Sequence, residues 1–449
     1  MSEEAARRTK LFPKVGLADN LRFNLGYVIP NILQGAFLRR PGWVRIVSAL
    51  RRGPLSAGLG PRWKAKYARE GVCARFLVKP SMLLFDQEAI QHVLKNSPLV
   101  YGPPAAKQRG MSHFQPGAVT ISEGHEWEER RRFNEAVLYP GEAHPLAGAI
   151  HAVVREESRL LFATSELRWD DFAGLFERIT LRTVFGRAGE SERNIAAALK
   201  KLMRRANLPF LPRRERLLRT YRSQVEEAMQ AAEPNSLAAL ARRLPHAGIP
   251  VAAQMTHWLF AMNDTLGENA VRAAAVIHAL EPTRLRALEE VKGKNLDDPA
   301  IVTSLRFVAA CLEEAMRLWP STPFLLREAV DQDTLCGHSI RTGDQVVIPN
   351  VFNHVDPTAV ARATEWFPDR WLQDGTPPRF YHFSDGRQSC PGADIARFIG
   401  TGVLATLIAE REFHTLRPRI MDASQLPAAL NPFAIHLVDL RRNRVAASQ

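Results

Sequence analysis

The chain has 449 residues, 46% hydrophobic and 24% charged, a balance that can bury a large core and excludes disordered, collagen-like and disulfide-scaffold classes. Its net charge of +13 raises nucleic acid as a partner, yet the cations, mostly arginine, are spread along the whole chain and no recognition motif gathers them, so nucleic-acid binding is not expected. Cys73, Cys311, Cys336 and Cys390 stand far apart, which excludes a disulfide framework or structural zinc; with no signal-peptide core after MSEEAARRTK and Leu25–Leu38 broken by Pro30, a soluble, cytoplasmic protein is expected.

Residues 1–60 read as an N-terminal extension and 61–449 as one domain. From residue 62 to about 120, RWKAKYARE and EAIQHVLKN carry helical spacing, and ARFLVKPSMLLF between them reads as paired strands. From about 123 to 245 helix follows helix, and Pro250 opens a helical pattern of about thirty residues, to Pro282, apolar nearly all round its first half. Such a helix should cross the core. A further helix is predicted from Pro299 to Trp319, then short strands, then a long Pro- and Asp-rich loop that ends at a helix over residues 393–410. The fold class is mainly α with small β-sheets, α+β.

The chemistry gathers in that loop. Phe383-Ser384-Asp385-Gly386-Arg387-Gln388-Ser389-Cys390-Pro391-Gly392 sets one cysteine just ahead of a helix N-terminus, where the dipole and free N–H groups favour thiolate over thiol. A single thiolate can hold a haem iron, whereas zinc or an iron–sulfur cluster needs further ligands that are not nearby. Upstream stand Glu314-Ala315-Met316-Arg317, with its acid and base at i and i+3, and Pro368-Asp369-Arg370-Trp371. In the long helix, Ala261-Met262-Asn263-Asp264-Thr265 places an acid and a hydroxyl in an apolar setting where both are costly.

In order and spacing these elements resemble the cytochrome P-450 superfamily of haem-thiolate monooxygenases, over roughly residues 65–440. The resemblance implies the fold of that superfamily, with Cys390 as the iron ligand of haem b and Phe383 and Gly386 of the same loop among the residues that bind the cofactor. Glu314, Arg317 and Arg370 would form a buried structural triad. Trp127 and Arg131, at i and i+4 in GHEWEERRRFN, and Arg327 in the strand after the Glu-x-x-Arg helix would bind the haem propionates, for which a guanidinium fork and an indole N–H are suited. Asp264 and Thr265 would manage protons for oxygen activation. Two positions depart from the family pattern: Met262 stands where Gly is usual, narrowing the room above the haem, and Gln388 stands where Arg or His is usual.

The resemblance further implies an O2-dependent enzyme that hydroxylates a hydrophobic small molecule, with NAD(P)H electrons brought by a separate ferredoxin or flavodoxin type donor, since no flavin or nicotinamide motif is present. Arg130, Arg132, Arg387 and Arg397 would steer an acidic donor. A non-catalytic haem-thiolate binding or sensing protein and a peroxide-dependent haem enzyme are the alternatives. Met111, Phe114, Val119, Leu259, Met262, Phe324 and Leu325 are expected to line the substrate pocket. Lys107 or Arg109 could anchor an acidic head group, although a solvated loop charge is the plainer reading. Residues 200–222, cationic around the apolar turn Leu208–Leu211, read as a lid over the pocket rather than as a peripheral membrane contact.

Overall fold

A computed structural model describes residues 11–50, 58–208, 210–373, 379–420 and 422–440; the leading MSEEAARRTK lies outside them. Among the described residues ten strands run in chain order: β1 Gly71–Phe76, β2 Lys79–Leu84, β3 Tyr101–Gly102, β4 Glu166–Arg168, β5 Phe324–Ala329, β6 Asp333–Leu335, β7 His338–Ile340, β8 Gln345–Pro349, β9 Phe413–Arg417 and β10 His436–Asp439. The largest sheet has the order β1-β2-β8-β5-β3, and smaller sheets are formed by β4-β10-β9 and by the hairpin β6-β7. All else of regular structure among the described residues is helical, as the sequence predicts.

The five-stranded sheet is mixed. β2 pairs parallel to β8 with Ser81 opposite Gln345, while β5 pairs antiparallel to β8 with Arg327 opposite Val346. β8, flanked on both sides, is buried along its whole length, which is why it reads as an unbroken apolar run. β5 alternates instead. Phe324 and Leu326 pack into a cluster with Phe23, Trp63, Val347 and Phe352, whereas Leu325 lies against the opposite cluster with Val346 and Ile348. Phe23, from the segment set apart as an extension, has no exposed surface and meets Phe324 edge to face. Residues 11–50 are thus packed onto the domain through this cluster.

The long helical pattern from Pro250 forms three parts: α-helix Val251–Phe260, one turn of π-helix Ala261–Thr265, and α-helix Leu266–Ala279. This central helix is buried on almost every side of its second half, where Ala270, Ala273, Ala274 and Ala275 let neighbours approach closely. Leu280 turns extended and a new helix, Glu281–Val291, begins at once. The single helix expected over 299–319 is in fact two, Pro299–Ser304 and Arg306–Leu318, divided at Leu305. Thr303 and Ser304 hydroxyls bond back to the carbonyls of Ala300 and Ile301, and the Glu290 carboxylate accepts the free N–H groups of Phe307 and Val308, which starts the second helix.

The cysteine helix, Ala393–Glu410, packs on both the Glu-x-x-Arg helix and the central helix through Gly400. A Cβ there would lie 2.5 Å from Leu312 and 3.3 Å from Leu266, the residue after Thr265. Close packing at this glycine therefore sets the cysteine loop relative to the π turn. Among the described residues no helix is long and apolar enough to cross a membrane.

Candidate haem-thiolate site

The cysteine loop is held by its own backbone. The N–H of Cys390 donates to the Phe383 carbonyl at 2.8 Å and that of Ser389 to Gly386 at 3.0 Å. Gly386 has φ +64°, and a Cβ on it would sit 2.4 Å from the Leu94 carbonyl oxygen, so the loop is pressed against the end of the helix Gln87–Lys95 where only glycine fits. Burial pushes the Cys390 thiol up, opposed by a backbone N–H bond from Gly392 and by the charges of Arg131 and Arg397. The side chain is nonetheless accessible, and Phe383, Pro391 and Ala396 around it are only half-buried. A group enclosed by protein and yet accessible faces an internal space rather than bulk water.

Behind the loop, Glu314 is completely buried and accepts hydrogen bonds from Arg317 (2.8 and 2.9 Å), Arg370 (3.1 and 3.2 Å), Trp371 Nε1 (2.9 Å) and the Phe367 N–H (3.0 Å). Arg317 donates onward to the carbonyls of His354, Ala363 and Glu365, and Arg370 to those of Ala361 and Arg362. These backbone contacts tie down the long loop. A second cluster, which sequence reasoning missed, joins Glu313 to His382 at 2.6 Å and to Arg397. Glu313 is next to Glu314 on the helix, so one turn serves two parts of the loop. His382 and Arg397 overcome the cost of burial and hold the Glu313 carboxyl down at about 2.

The expected propionate cluster divides. Arg327 is buried and, among the described residues, donates only to Ser97 Oγ (3.1 Å) and the Leu326 carbonyl (3.0 Å) and pairs with no acid; burial brings its guanidinium down to about 10. Arg131 donates from Nε to Glu135 at 2.6 Å and from NH1 to the Ser389 carbonyl at 2.5 Å, so it clamps the residue before Cys390. Trp127 is buried with the Arg387 guanidinium 5.3 Å from its ring centre, and Arg387 reaches out to Glu128.

On the central helix, Asp264 and Thr265 close the π turn, a widened turn of the kind found at functional sites. The Thr265 hydroxyl and the Asp264 carboxylate make no hydrogen bond with the described residues. Burial pushes Asp264 up to about 6, with Lys200 pulling down and Glu268 and Glu177 pushing up. Asp264 shares a small cavity with Glu177, Lys200, Leu259, Phe260 and Asn263, and Lys200 is ion-paired to Glu177 at 2.6 Å.

Of the expected pocket residues, Phe324 faces the Phe23 cluster, because successive strand residues point to opposite faces, and Leu325 shares the face of Arg327. Leu259 and Met262 are buried in the main core, and Leu259 also lines the cavity of Asp264. At helical spacing back from Thr265, Ala261 and His257 share its face, and both, with Phe260, are only half-buried. That spacing was readable in the sequence. Phe114 packs on Phe260 with ring centres 5.6 Å apart, and Met111 and Val119 are buried beside it in the same segment.

These residues fit a haem. Cys390 faces an enclosed space, Arg327 is a buried cation lacking an acid, and among the described residues no other group of His, Cys, Asp and Glu could hold a metal. The cytochrome P450 family model matches residues 288–430, which contain the Glu-x-x-Arg helix, Arg327, Arg370 and the cysteine loop. Cytochrome P450 132 of Mycobacterium tuberculosis is 30% identical over 162 residues, 35% of each chain. A cytochrome P450 monooxygenase of Aspergillus fumigatus is 27% identical over 221 residues, 45% of this chain and 41% of that protein, and the chloroplastic carotene epsilon-monooxygenase of Arabidopsis thaliana is 28% identical over 199 residues, 41% and 36%. The matches thus span well under half the length of these relatives. Over residues 288–430 the chain is similar to the cytochrome P450 superfamily.

Proposed function

We propose that the chain is a haem-thiolate monooxygenase that binds haem b through Cys390 and hydroxylates a hydrophobic small molecule, using O2, two protons and two electrons and releasing water. The observation that carries this reading is the pairing of an accessible, enclosed thiol with an unpartnered acid and hydroxyl at the π turn of the helix packed against it. When bound, the haem supplies oxygen binding and O–O cleavage, with the thiolate as its electron-rich ligand. The protein's part is to set charges and protons. Arg131 and the Gly392 N–H fix and stabilise the sulfur, and Arg327 neutralises a propionate. Asp264, with its carboxyl near 6, takes a proton from the side of Lys200 and Glu177 and passes it toward Thr265 Oγ1.

The electron donor is read as a separate ferredoxin or flavodoxin type protein fed by NAD(P)H. Charge steering is weakened at three of the four named arginines by local pairing: Arg130 holds Glu126, Arg387 holds Glu128 and Arg397 holds Glu313. The Phe210 turn, between the helices Glu190–Ala206 and Glu215–Gln230, is exposed and is read as part of a pocket lid.

The test is the carbon monoxide spectrum of the dithionite-reduced protein beside that of Cys390→Ala. A strongly red-shifted Soret band that disappears in the variant is the expected result. A band typical of histidine ligation that survives the substitution would overturn the reading. Turnover with O2 and reductant, compared with peroxide alone, then separates a monooxygenase from a peroxide-using enzyme.

A further inference from the structure

Exposed apolar side chains are ordinary when scattered and informative when gathered. Among the described residues sixteen large ones are exposed, and nine of these stand in two stretches, 11–46 and 77–78. The first stretch holds a continuous helix made of Leu17–Phe23, a π turn Asn24–Val28 and Ile29–Gln34. Its inner side, Phe23, Tyr27 and Val28, is buried in the cluster around Trp63 and Phe352. On its outer side Leu17, Leu21 and Leu25 follow at four-residue spacing, and all three are exposed. A helix packed on one side ordinarily turns polar residues to water on the other, so one that is apolar on both has a second apolar contact to make.

The second stretch is joined to this row by hydrogen bonds. Asn20 Oδ1 accepts the Arg75 N–H at 2.7 Å, Asn24 Nδ2 donates to the Arg75 carbonyl at 2.8 Å, and Asn24 Oδ1 accepts the Leu77 N–H at 2.8 Å. Asn20 and Asn24 immediately precede Leu21 and Leu25, so the β1–β2 turn, Leu77 and Val78, stands beside the leucine row. Leu77 has φ +57°, where Gly or Asn would sit with less strain, yet a large apolar side chain is presented there. The charge around this ridge has one sign: residues 11–50 and 59–85 hold eleven cations and two acids. One of the acids, Asp19, is buried and bound by Lys66 at 2.7 Å, Tyr67 at 2.6 Å and Arg22 at 3.4 Å. Arg75 on the hairpin and Arg62, one turn before Lys66, are exposed and make no ion pair with the described residues.

Two copies of this face would bring like charges together, which disfavours a dimer. The ridge also protrudes, with Leu17 87% and Val78 83% exposed, a shape that suits a deformable phase better than a rigid groove. We propose that the helix over residues 17–34 and the β1–β2 turn dock on an anionic lipid bilayer. Leu17, Leu21, Leu25, Leu77 and Val78 enter the acyl boundary, and Arg22, Arg62, Lys66 and Arg75 meet the lipid phosphates. The contact is peripheral, does not depend on the haem-thiolate reading, and leaves the Phe210 turn to the pocket lid.

The experiment is flotation of the full-length protein with phosphatidylcholine vesicles, alone or mixed in equal parts with phosphatidylglycerol. The protein is expected to float with the mixed vesicles, to bind the neutral ones about tenfold more weakly, and to leave the mixed ones as salt is raised. Leu17→Ser, Leu21→Ser and Leu25→Ser combined should weaken binding by about tenfold or more with the urea midpoint unchanged, because all three side chains are exposed. Arg75→Glu should weaken it about fivefold. Leu285→Ser, at an exposed leucine of the helix Glu281–Val291, should change nothing. Failure to float with the mixed vesicles, or binding that the triple variant retains, would overturn the proposal. A loss confined to Phe210→Ser would place the contact on the lid turn and overturn it too. So would a concentration-dependent dimer in sedimentation that the triple variant abolishes while neither protein floats, which would assign the ridge to a second copy.

Discussion

The two sides of the space that Cys390 faces are built on opposite terms. On the cysteine side, buried charge is answered: Glu314 is satisfied by Arg317, Arg370, Trp371 and the Phe367 N–H, and Glu313 by His382 and Arg397. On the central-helix side, Asp264, the Thr265 hydroxyl and Gln115 Nε2 have no hydrogen-bond partner among the described residues, and burial pushes Asp264 toward neutrality. A satisfied network fixes geometry and contributes nothing to chemistry directly. An unsatisfied set is costly to the fold and is available to ligands. The contrast separates scaffold from reactive face without reference to any bound molecule.

The comparison breaks most visibly at Glu314. Glu314→Gln leaves two buried guanidiniums without their acid, and the loss of stability is expected to be about 3–5 kcal/mol, read by urea denaturation. Little haem-loaded protein should be recovered from this variant. Next comes Gly386→Ala, which puts a side chain at φ +64° and against the Leu94 carbonyl, for a loss of roughly 3 kcal/mol. Its distinguishing sign is a disturbed Soret band in whatever fraction folds, because the loop itself is displaced.

The acid limb tests the same side. Glu313 has its carboxyl lowered from the ordinary value to about 2, so its contribution is complete above about pH 4.5 and is lost as pH falls through about 2. That contribution is roughly 3 kcal/mol at neutral pH. Glu313→Gln should therefore be less stable than the parent at pH 7, with the two denaturation curves converging toward pH 2–3. A constant gap across that window would mean that the pair matters by packing alone.

What could be read in the sequence was local. Cys390 ahead of the helix at Ala393, the acid and hydroxyl at 264 and 265, and Glu314 with Arg317 one turn apart are all expressed within a few residues. What could not be read depended on partners far along the chain. The division at Leu305 needs Glu290 to cap the second helix, and Arg131 turns to Ser389, 258 positions away. Facing depends on register as well. Phe324 is apolar, but strand alternation turns it to the Phe23 cluster, and apolarity alone does not distinguish a pocket wall from packing.

The smallest expected effect carries the opposite sign and sharpens the comparison. Burial raises Asp264 to about 6, so ionising it in the folded protein is unfavourable relative to the unfolded chain. Below about pH 4 both states hold the proton and nothing is lost. As pH rises from about 4 to about 6 the unfolded chain releases its proton first, and stability declines across that window. Asp264→Asn removes the charge at nearly constant volume, so it is expected to be more stable than the parent by about 2 kcal/mol at pH 7, and no more stable at pH 4. The same substitution should sharply reduce oxygen-dependent turnover while leaving the reduced carbon monoxide band in place. A variant more stable and less active, set beside Glu314→Gln, which loses both, would divide the two sides by sign as well as by size. If Asp264→Asn were instead destabilising at pH 7, the carboxylate would be a structural partner of Lys200, and the reactive face would begin at Thr265.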